Sequence, residues 1–351
     1  MGQLPEMSQI FDDIVSFRNL WLAARRAARG KRTRASTAEW LENLEVNTLE
    51  LSQELEAGRW LPSGYRTFMI TDPKERLICA APFADRVVHQ AVVQILEPLF
   101  EPSFIFDSYS CRRGRGTHRA IHRVSQWAGT YSWCLKLDVE KYFPSVDHSI
   151  CMGLVERKIK CQATLSIIRL ILASWETNAF PARWFPGDDL FTPGQRSRGL
   201  PIGNLTSQFL SNVYLDPVDH RVKDGLAIRP YARYCDDLVV FGHSSEELHQ
   251  VRLELVKSLS QLRLTAHPRK TQIFPTSQGV SWLGFRIYPH KIHIREENVR
   301  RARKRFRRFA GLLERREGNP DHIFASVEAW RAHANHASST KLADTLTVPF
   351  R

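Results

Sequence analysis

The sequence predicts an α+β protein made of helices of ordinary length and short antiparallel strands. Apolar residues recur at helical spacing near residues 10–55, 85–96, 148–180, 244–262 and 295–316, the pattern of amphipathic helices. Between them lie short runs rich in β-branched and aromatic residues at 65–70, 76–80, 134–139, 231–241 and 280–287. Turn-forming residues join several of these runs as hairpins. The chain has 351 residues, 43% hydrophobic and 25% charged, a globular composition with length for two or three domains.

In chain order, residues 1–58 read as helical. Ile10, Ile14, Phe17, Leu20, Trp21 and Ala24 form one stripe, and the basic stretch from Gly30 to Arg34 breaks it. A second helix follows, with Trp40, Leu41, Leu44, Leu51 and Leu55 inside, Ser36 or Thr37 as cap and Gly58 as stop. Residues 59–81 alternate in β-like runs around the turn Asp72-Pro73-Lys74-Glu75. Residues 85–96 form a helix ended before Pro98. Residues 108–119 are rich in Gly and Arg, and Thr117 is placed to cap the helix carrying Ala120, Ile121 and Val124. Residues 181–199 read as a loop in which Asp188 and Asp189 are solvated. Residues 199–216 open as a Gly/Pro loop and continue as a helix with Leu205, Phe209, Leu210 and Val213 inside.

Residues 244–262 are a helix with Ser244 or Ser245 at its cap and Glu247 placed for a capping box. Residues 280–287 are a strand pair. On helix 295–316, Val299, Ala302, Phe306, Phe309, Ala310 and Leu313 line one face. Arg300, Arg301, Arg303, Lys304, Arg305, Arg307 and Arg308 cover the rest. Seven basic residues in nine, without an acid, are too lopsided for an ordinary solvated face. Residues 325–346 supply further helices.

The net charge of +13 points to a polyanionic partner, most simply nucleic acid. Six cysteines show no Cys-x-x-Cys pair and no zinc spacing, as buried thiols in a reducing, cytoplasmic setting would. No run of 18 apolar residues occurs, so no membrane span is expected.

Two stretches carry chemistry. Asp236 and Asp237 fall at the tight connection of a hairpin whose strands lead in through Tyr231–Tyr234 and out through Leu238, Val239, Val240 and Phe241. Adjacent carboxylates repel unless a hard cation bridges them; the bland alternative is a solvated Asp-Asp turn. Asp138 interrupts the apolar strand of Cys134, Leu135, Leu137 and Val139, and a charge there needs a partner. A shared metal satisfies all three: three carboxylates on neighbouring strands can hold two Mg²⁺ for displacement at phosphorus.

Asp138 with Phe143, then Tyr234-Cys-Asp-Asp237, resemble the two metal-binding motifs of reverse transcriptases. Residues 76–96, 108–121, 199–219, 267–271 and 280–287 resemble the family's other blocks in order. The resemblance implies a right-hand polymerase, with a helical extension at 1–58 and fingers at 59–135 and 148–198. The palm, with its antiparallel sheet, takes 136–147 and 199–290, and the helical thumb 291–351. It implies two Mg²⁺, or Mn²⁺, on Asp138, Asp236, Asp237 and the Val139 carbonyl. It further implies nucleotide contacts from Lys74, Arg76, Arg112, Phe143 (as the gate against a 2′-hydroxyl), Ile202, Gly203, Gln208 and Lys270. Tyr234 supports the primer end, Trp282, Leu283 and Gly284 form a primer grip, and Arg301, Lys304, Arg305 and Arg308 meet the template–primer backbone. Partners would be template RNA, cDNA or primer, and dNTPs. Most of the family carries Gln-Gly, then Ser-Pro, where this chain has Ile202-Gly203 and Ser207-Gln208. That form resembles reverse transcriptases of diversity-generating retroelements, whose cDNA synthesis is error-prone at template adenines and which work with a small basic accessory protein.

Overall fold

The computed structural model describes residues 9–71, 75–177 and 183–350. The helices in chain order are α1 (Gln9–Val15), α2 (Phe17–Ala27), α3 (Ala35–Glu42), α4 (Leu44–Glu56), α5 (Phe83–Phe100), α6 (Thr117–Thr130), α7 (Tyr142–Ser145) and α8 (His148–Glu156). After them come α9 (Gln162–Ala173), α10 (Thr192–Gln195), α11 (Leu205–His220), α12 (Ser245–Gln261), α13 (Glu296–Glu314), α14 (Pro320–Ala334) and α15 (Thr340–Thr347). The strands are β1 (Arg66–Ile70), β2 (Arg76–Ala80), β3 (Trp133–Asp138), β4 (Tyr231–Tyr234), β5 (Asp237–Gly242), β6 (Gln272–Pro275), β7 (Val280–Trp282), β8 (Phe285–Tyr288) and β9 (Lys291–Ile294). Among the described residues every strand-to-strand pairing is antiparallel, and the α+β class expected from the sequence is the one observed.

The chain forms two compact units, each assembled from separate stretches. The first takes Met1–Phe106, Val139–Ala227 and Leu255–Ala266; the second takes Asp107–Asp138, Ile228–Glu254 and His267–Arg351.

In the first unit α2 packs on α5, and Leu20, Ala23 and Ala24 of α2 and Val87, Val88 and Ala91 of α5 are fully buried. Asn19 Nδ2 bridges the Ile14 and Ala91 carbonyls at 2.9 and 3.2 Å. Four details differ from the sequence expectation. The second N-terminal helix is two, α3 and α4, meeting at Asn43. Neither Ser36 nor Thr37 caps it: Arg34 is the N-cap, without a side-chain hydrogen bond. Helix α5 continues through Pro98 to Phe100. A proline in the last turn forfeits one N–H bond, and the Phe100 ring is buried edge-on to Phe209 at 5.3 Å. Finally, the Asp188 carboxylate is shielded from solvent, 2.5 Å from Arg196 Nη2. That guanidinium holds its carboxyl below the usual carboxylate range, so an ion pair displaces the solvated reading.

In the second unit, the four-stranded sheet runs β4-β5-β3-β6 and the three-stranded sheet β7-β8-β9. Trp127, Phe241, Trp282, Phe285, Phe306 and Trp330 lie in one core. Burying rings of this size stabilises by roughly 1.5–3 kcal/mol each. Gly116, at φ +99°, is the N-cap of α6, so Thr117 is its first helical residue and not its cap. Ser244 caps α12 as expected: its Oγ accepts the Glu247 N–H at 3.1 Å. Glu247 reaches back to the His243 N–H at 3.0 Å, one residue earlier than in a standard capping box.

Candidate active site

Strands β4 and β5 pair with Tyr234 opposite Asp237, leaving Cys235 and Asp236 as a two-residue loop. Asp138 lies directly opposite Asp237 across the β3–β5 pair. Three carboxylates thus meet at one end of the sheet, as the sequence predicted. Cys235 has φ +57°, a value that costs a non-glycine residue about 1–3 kcal/mol and persists only where its surroundings enforce it. The enforcing group is Arg233, fully buried, whose Nη1 donates to the Cys235 carbonyl at 3.2 Å. The Arg233 N–H donates to the Asp107 carbonyl at 3.0 Å, and its own carbonyl accepts the Tyr109 N–H at 2.9 Å. Thr117 Oγ1 donates to the Tyr234 hydroxyl at 3.2 Å. Sequence reading passed over Arg233, although a lone arginine inside the apolar run leading to the carboxylates is a signal of the same kind as Asp138.

Lysines balance the charge. Lys270 Nζ lies 2.5 Å from Asp138 Oδ2. Lys136 Nζ lies 3.4 Å from Asp237 Oδ2 and donates to the Ser281 carbonyl at 2.8 Å. The sequence marked Lys270 and missed Lys136, which alternation along β3 places beside Asp138. Burial pushes Asp237 up to about 7; Lys136 opposes the shift, and the Asp138 and Asp236 carboxylates add to it. Burial, chiefly, also raises Asp236. Asp237 Oδ1 is buried without a hydrogen-bond partner. As the side chains stand, no three His, Cys, Asp or Glu groups among the described residues are arranged to hold a metal ion. The chemistry nevertheless fits one: oxygen-only donors, mutually repelling, one of them buried and unpaired, are what a hard divalent cation takes.

Arg112 is buried, its Nη1 donating to the Ser108 carbonyl at 2.8 Å. Trp282 sits in the core at 1% exposure, so the accessible part of the expected primer grip is the β7–β8 turn, where Leu283 and Gly284 adopt φ +47° and +89°. On α13, Ala302, Phe306 and Phe309 are buried, whereas Arg301, Lys304, Arg305 and Arg308 are exposed, the amphipathic division expected from the sequence.

The first unit gathers most of the other expected nucleotide contacts. The Cys79 N–H donates to the Ile202 carbonyl at 2.9 Å, and Asn204 Nδ2 donates to the Cys79 carbonyl at 3.0 Å. The strand that begins with exposed Arg76 therefore runs beside Ile202. At Gly203, φ is +115° and a Cβ would lie 3.1 Å from Ile78 Cγ2, so glycine suits both the backbone and the close approach. The Leu200 N–H donates to the Phe143 carbonyl at 2.8 Å, and the Phe143 ring meets Tyr142 edge-on at 5.5 Å. Gln208 is half-buried one turn into α11. Val139 is buried and bridged to Ala266. Lys74 lies outside the described residues.

The chain is 26% identical over 208 residues to the group II intron-encoded protein LtrA of Lactococcus lactis subsp. cremoris, covering 58% of this chain and 32% of that protein. It thus spans about a third of that relative's length. It is 26% identical over 284 residues to protein YkfC of Escherichia coli (strain K12), covering 70% and 72% respectively. Among solved structures, Candida albicans telomerase with an RNA fragment aligns at TM-score 0.49 and 12% identity, over 72% of this chain and 50% of that one. The family described as reverse transcriptase (RNA-dependent DNA polymerase) matches residues 71–287, a span that contains all three carboxylates, and the chain belongs to that family.

Proposed function

We propose that the chain is an RNA-directed DNA polymerase that extends a primer on template RNA with dNTPs. The observation that carries this reading is the trio Asp138, Asp236 and Asp237 at one sheet end, with Asp138 directly opposite Asp237. Asp138, Asp236 and Asp237, with the Val139 carbonyl, would hold two Mg²⁺ ions, and Mn²⁺ could take the same ligands. Such ions polarise the phosphoryl group and neutralise charge at the attacking and leaving oxygens. The protein's own part is to fix the carboxylates, which the strained Cys235 turn and Arg233 do; by resemblance to the family, Arg76, Lys270 and Lys74 would present cations to the triphosphate. The first unit's Phe143, Ile202, Gly203 and Gln208 would shape the nucleotide pocket. Leu283 and Gly284 would touch the primer strand, and the α13 cations the duplex backbone. The division into fingers, palm and thumb belongs to this same reading.

Replacing Asp237 with Ala should lower dNTP incorporation by about a hundred- to a thousandfold or more, while binding of a template–primer duplex stays within about twofold. Full activity in Asp236→Ala/Asp237→Ala would sink the polymerase reading.

Within this activity we assign the chain to the diversity-generating type, on the stretch Ile202-Gly203-Asn204-x-Thr206-Ser207-Gln208. The second reading is an intron-related reverse transcriptase, favoured by the similarity to LtrA. The error spectrum at template adenine separates the two.

A further inference from the structure

Four histidines meet on one face of the second unit, apart from the three carboxylates, with His333 packed on core Phe285 at 4.6 Å between ring centroids. His118 and His122 stand one turn apart on α6, His333 lies in the last turn of α14, and His336 lies just beyond it. The His118 and His336 rings stack, their centroids 3.6 Å apart and their planes within 17°. His118 Nε2 is 3.4 Å from His333 Nδ1, and His122 Nε2 is 3.4 Å from His336 Nδ1. Each close pair therefore takes one ring from α6 and one from the end of α14 or the turn just after it.

The separation is informative. N–H donors in hydrogen bonds mostly lie about 2.7–3.2 Å from their acceptors, so both contacts are long for hydrogen bonds. Two imidazole nitrogens bound to one tetrahedral ion at about 2.0–2.1 Å stand about 3.3–3.4 Å apart. Both interhelical pairs have the second spacing. We infer that the α6–α14 face is a transition-metal clip, in which one imidazole from each helix binds a single ion of the Zn²⁺ class. As the side chains stand, no three such ligands surround one point. The interhelical pair is therefore the binding unit, and water fills the other positions. The His118–His336 stack sets the two pairs side by side, and repulsion between dications so close limits the face to one.

The lone pairs are ready for this role. Burial, then the neighbouring histidines, holds His118 and His333 below the ordinary imidazole value, so both are neutral at pH 7. Imidazole suits Zn²⁺, Cu²⁺, Ni²⁺ and Co²⁺, whereas Mg²⁺ prefers oxygen. The clip is thus chemically distinct from the carboxylate trio. It would tie the C-terminal helices to α6, the helix whose Thr117 holds the Tyr234 hydroxyl, and it stands whether or not the chain polymerises.

The test uses the full, untagged chain carrying Asp138→Asn, Asp236→Asn and Asp237→Asn, stripped with chelator, so that the carboxylates do not compete. Titration with Zn²⁺ alone at pH 7.5 should show one ion bound. It should also raise the melting temperature by about 2 °C at tenfold excess over the dissociation constant. His118→Gln/His122→Gln and His333→Gln/His336→Gln should each weaken binding at least tenfold, each compared with its own metal-free melting temperature so that a folding defect is not mistaken for lost ligands. A Co²⁺ absorption band in the background protein that disappears in both double variants would mark nitrogen ligation. No bound Zn²⁺ would overturn the proposal. So would undiminished affinity after removing the α14 histidines, because the His118/His122 turn alone would then suffice.

Discussion

At the scale of single residues, the informative position is Ile202. A glutamine there, as in most of the family it resembles, can hydrogen-bond; isoleucine cannot. Specificity is a difference in free energy between right and wrong partners, and one neutral hydrogen bond is worth about 0.5–1.5 kcal/mol, so one residue accounts for roughly a tenfold loss of accuracy. Adenine offers fewer pairing contacts than guanine to compensate. Misincorporation opposite template A should therefore exceed that opposite G, and Ile202→Gln should reduce it up to about tenfold; sequencing cDNA made from one RNA by both proteins measures this. Equal error rates at all four template bases would remove the diversity-generating assignment and favour the intron-related one. Phe143 makes a second prediction. If its ring excludes a 2′-hydroxyl by overpacking worth about 1–3 kcal/mol, Phe143→Ala should raise ribonucleotide use about ten- to a hundredfold. Competition between rNTPs and dNTPs on one template reads this, and an unchanged preference would place the gate elsewhere. Asp138, Asp236 and Asp237 were legible in the sequence because a charge within an apolar strand has few explanations. Arg233 and Lys136 carried a comparable signal but are easily passed over, because a basic residue in a strand is usually read as pointing to solvent.

At the scale of elements, α13 and the α6–α14 pair make separate claims. Exchanging Arg301, Arg305 and Arg308 for Gln leaves the buried face of Ala302, Phe306 and Phe309 intact. The fold should survive, while the slope of log K against log salt for a template–primer duplex falls by about 0.7–0.9 per lost phosphate contact. An unchanged slope would return the helix to an ordinary solvated face. At the α6–α14 face, His118 and His333 have depressed pKa values in the fold. Well above pH 6.5 both states leave these rings neutral and the full stability is present. As pH falls below 6.5, the unfolded chain takes up protons that the folded one resists, so stability declines. In chelator, the melting temperature should therefore drop between pH 7.5 and 5.5 by more in the unaltered chain than in His118→Gln/His333→Gln; equal drops would remove these rings from the pH response. Elements of strong periodicity, such as α2, α11, α12 and α13, were legible because their apolar stripes exceed two turns. Their ends were less so. The α5 terminus went past Pro98 because burial of Phe100 outweighed one lost N–H bond, and Asp188 left solvent because Arg196, eight residues on, and Arg263, distant in sequence, close around it.

At the scale of the whole molecule, composition foretold a basic globular chain, but not its partition. The two units are each cut from non-contiguous stretches, and no local pattern reveals that Asp138 closes a stretch of one unit while Val139 opens a stretch of the other. This interleaving has a consequence in time. The central strand β3 receives its partners β5 and β6 only after residues 237–242 and 272–275 exist, about a hundred residues and more downstream. Such long-range pairing is slow, because loop closure precedes any gain in contacts. During synthesis, at about 5–20 residues per second, the edges of β3 would wait many seconds without a ladder. The carboxylate trio therefore comes together late, only once residues 237–242 have been made, and a ribosome that stalls before that point releases a product with its acidic strand unpaired.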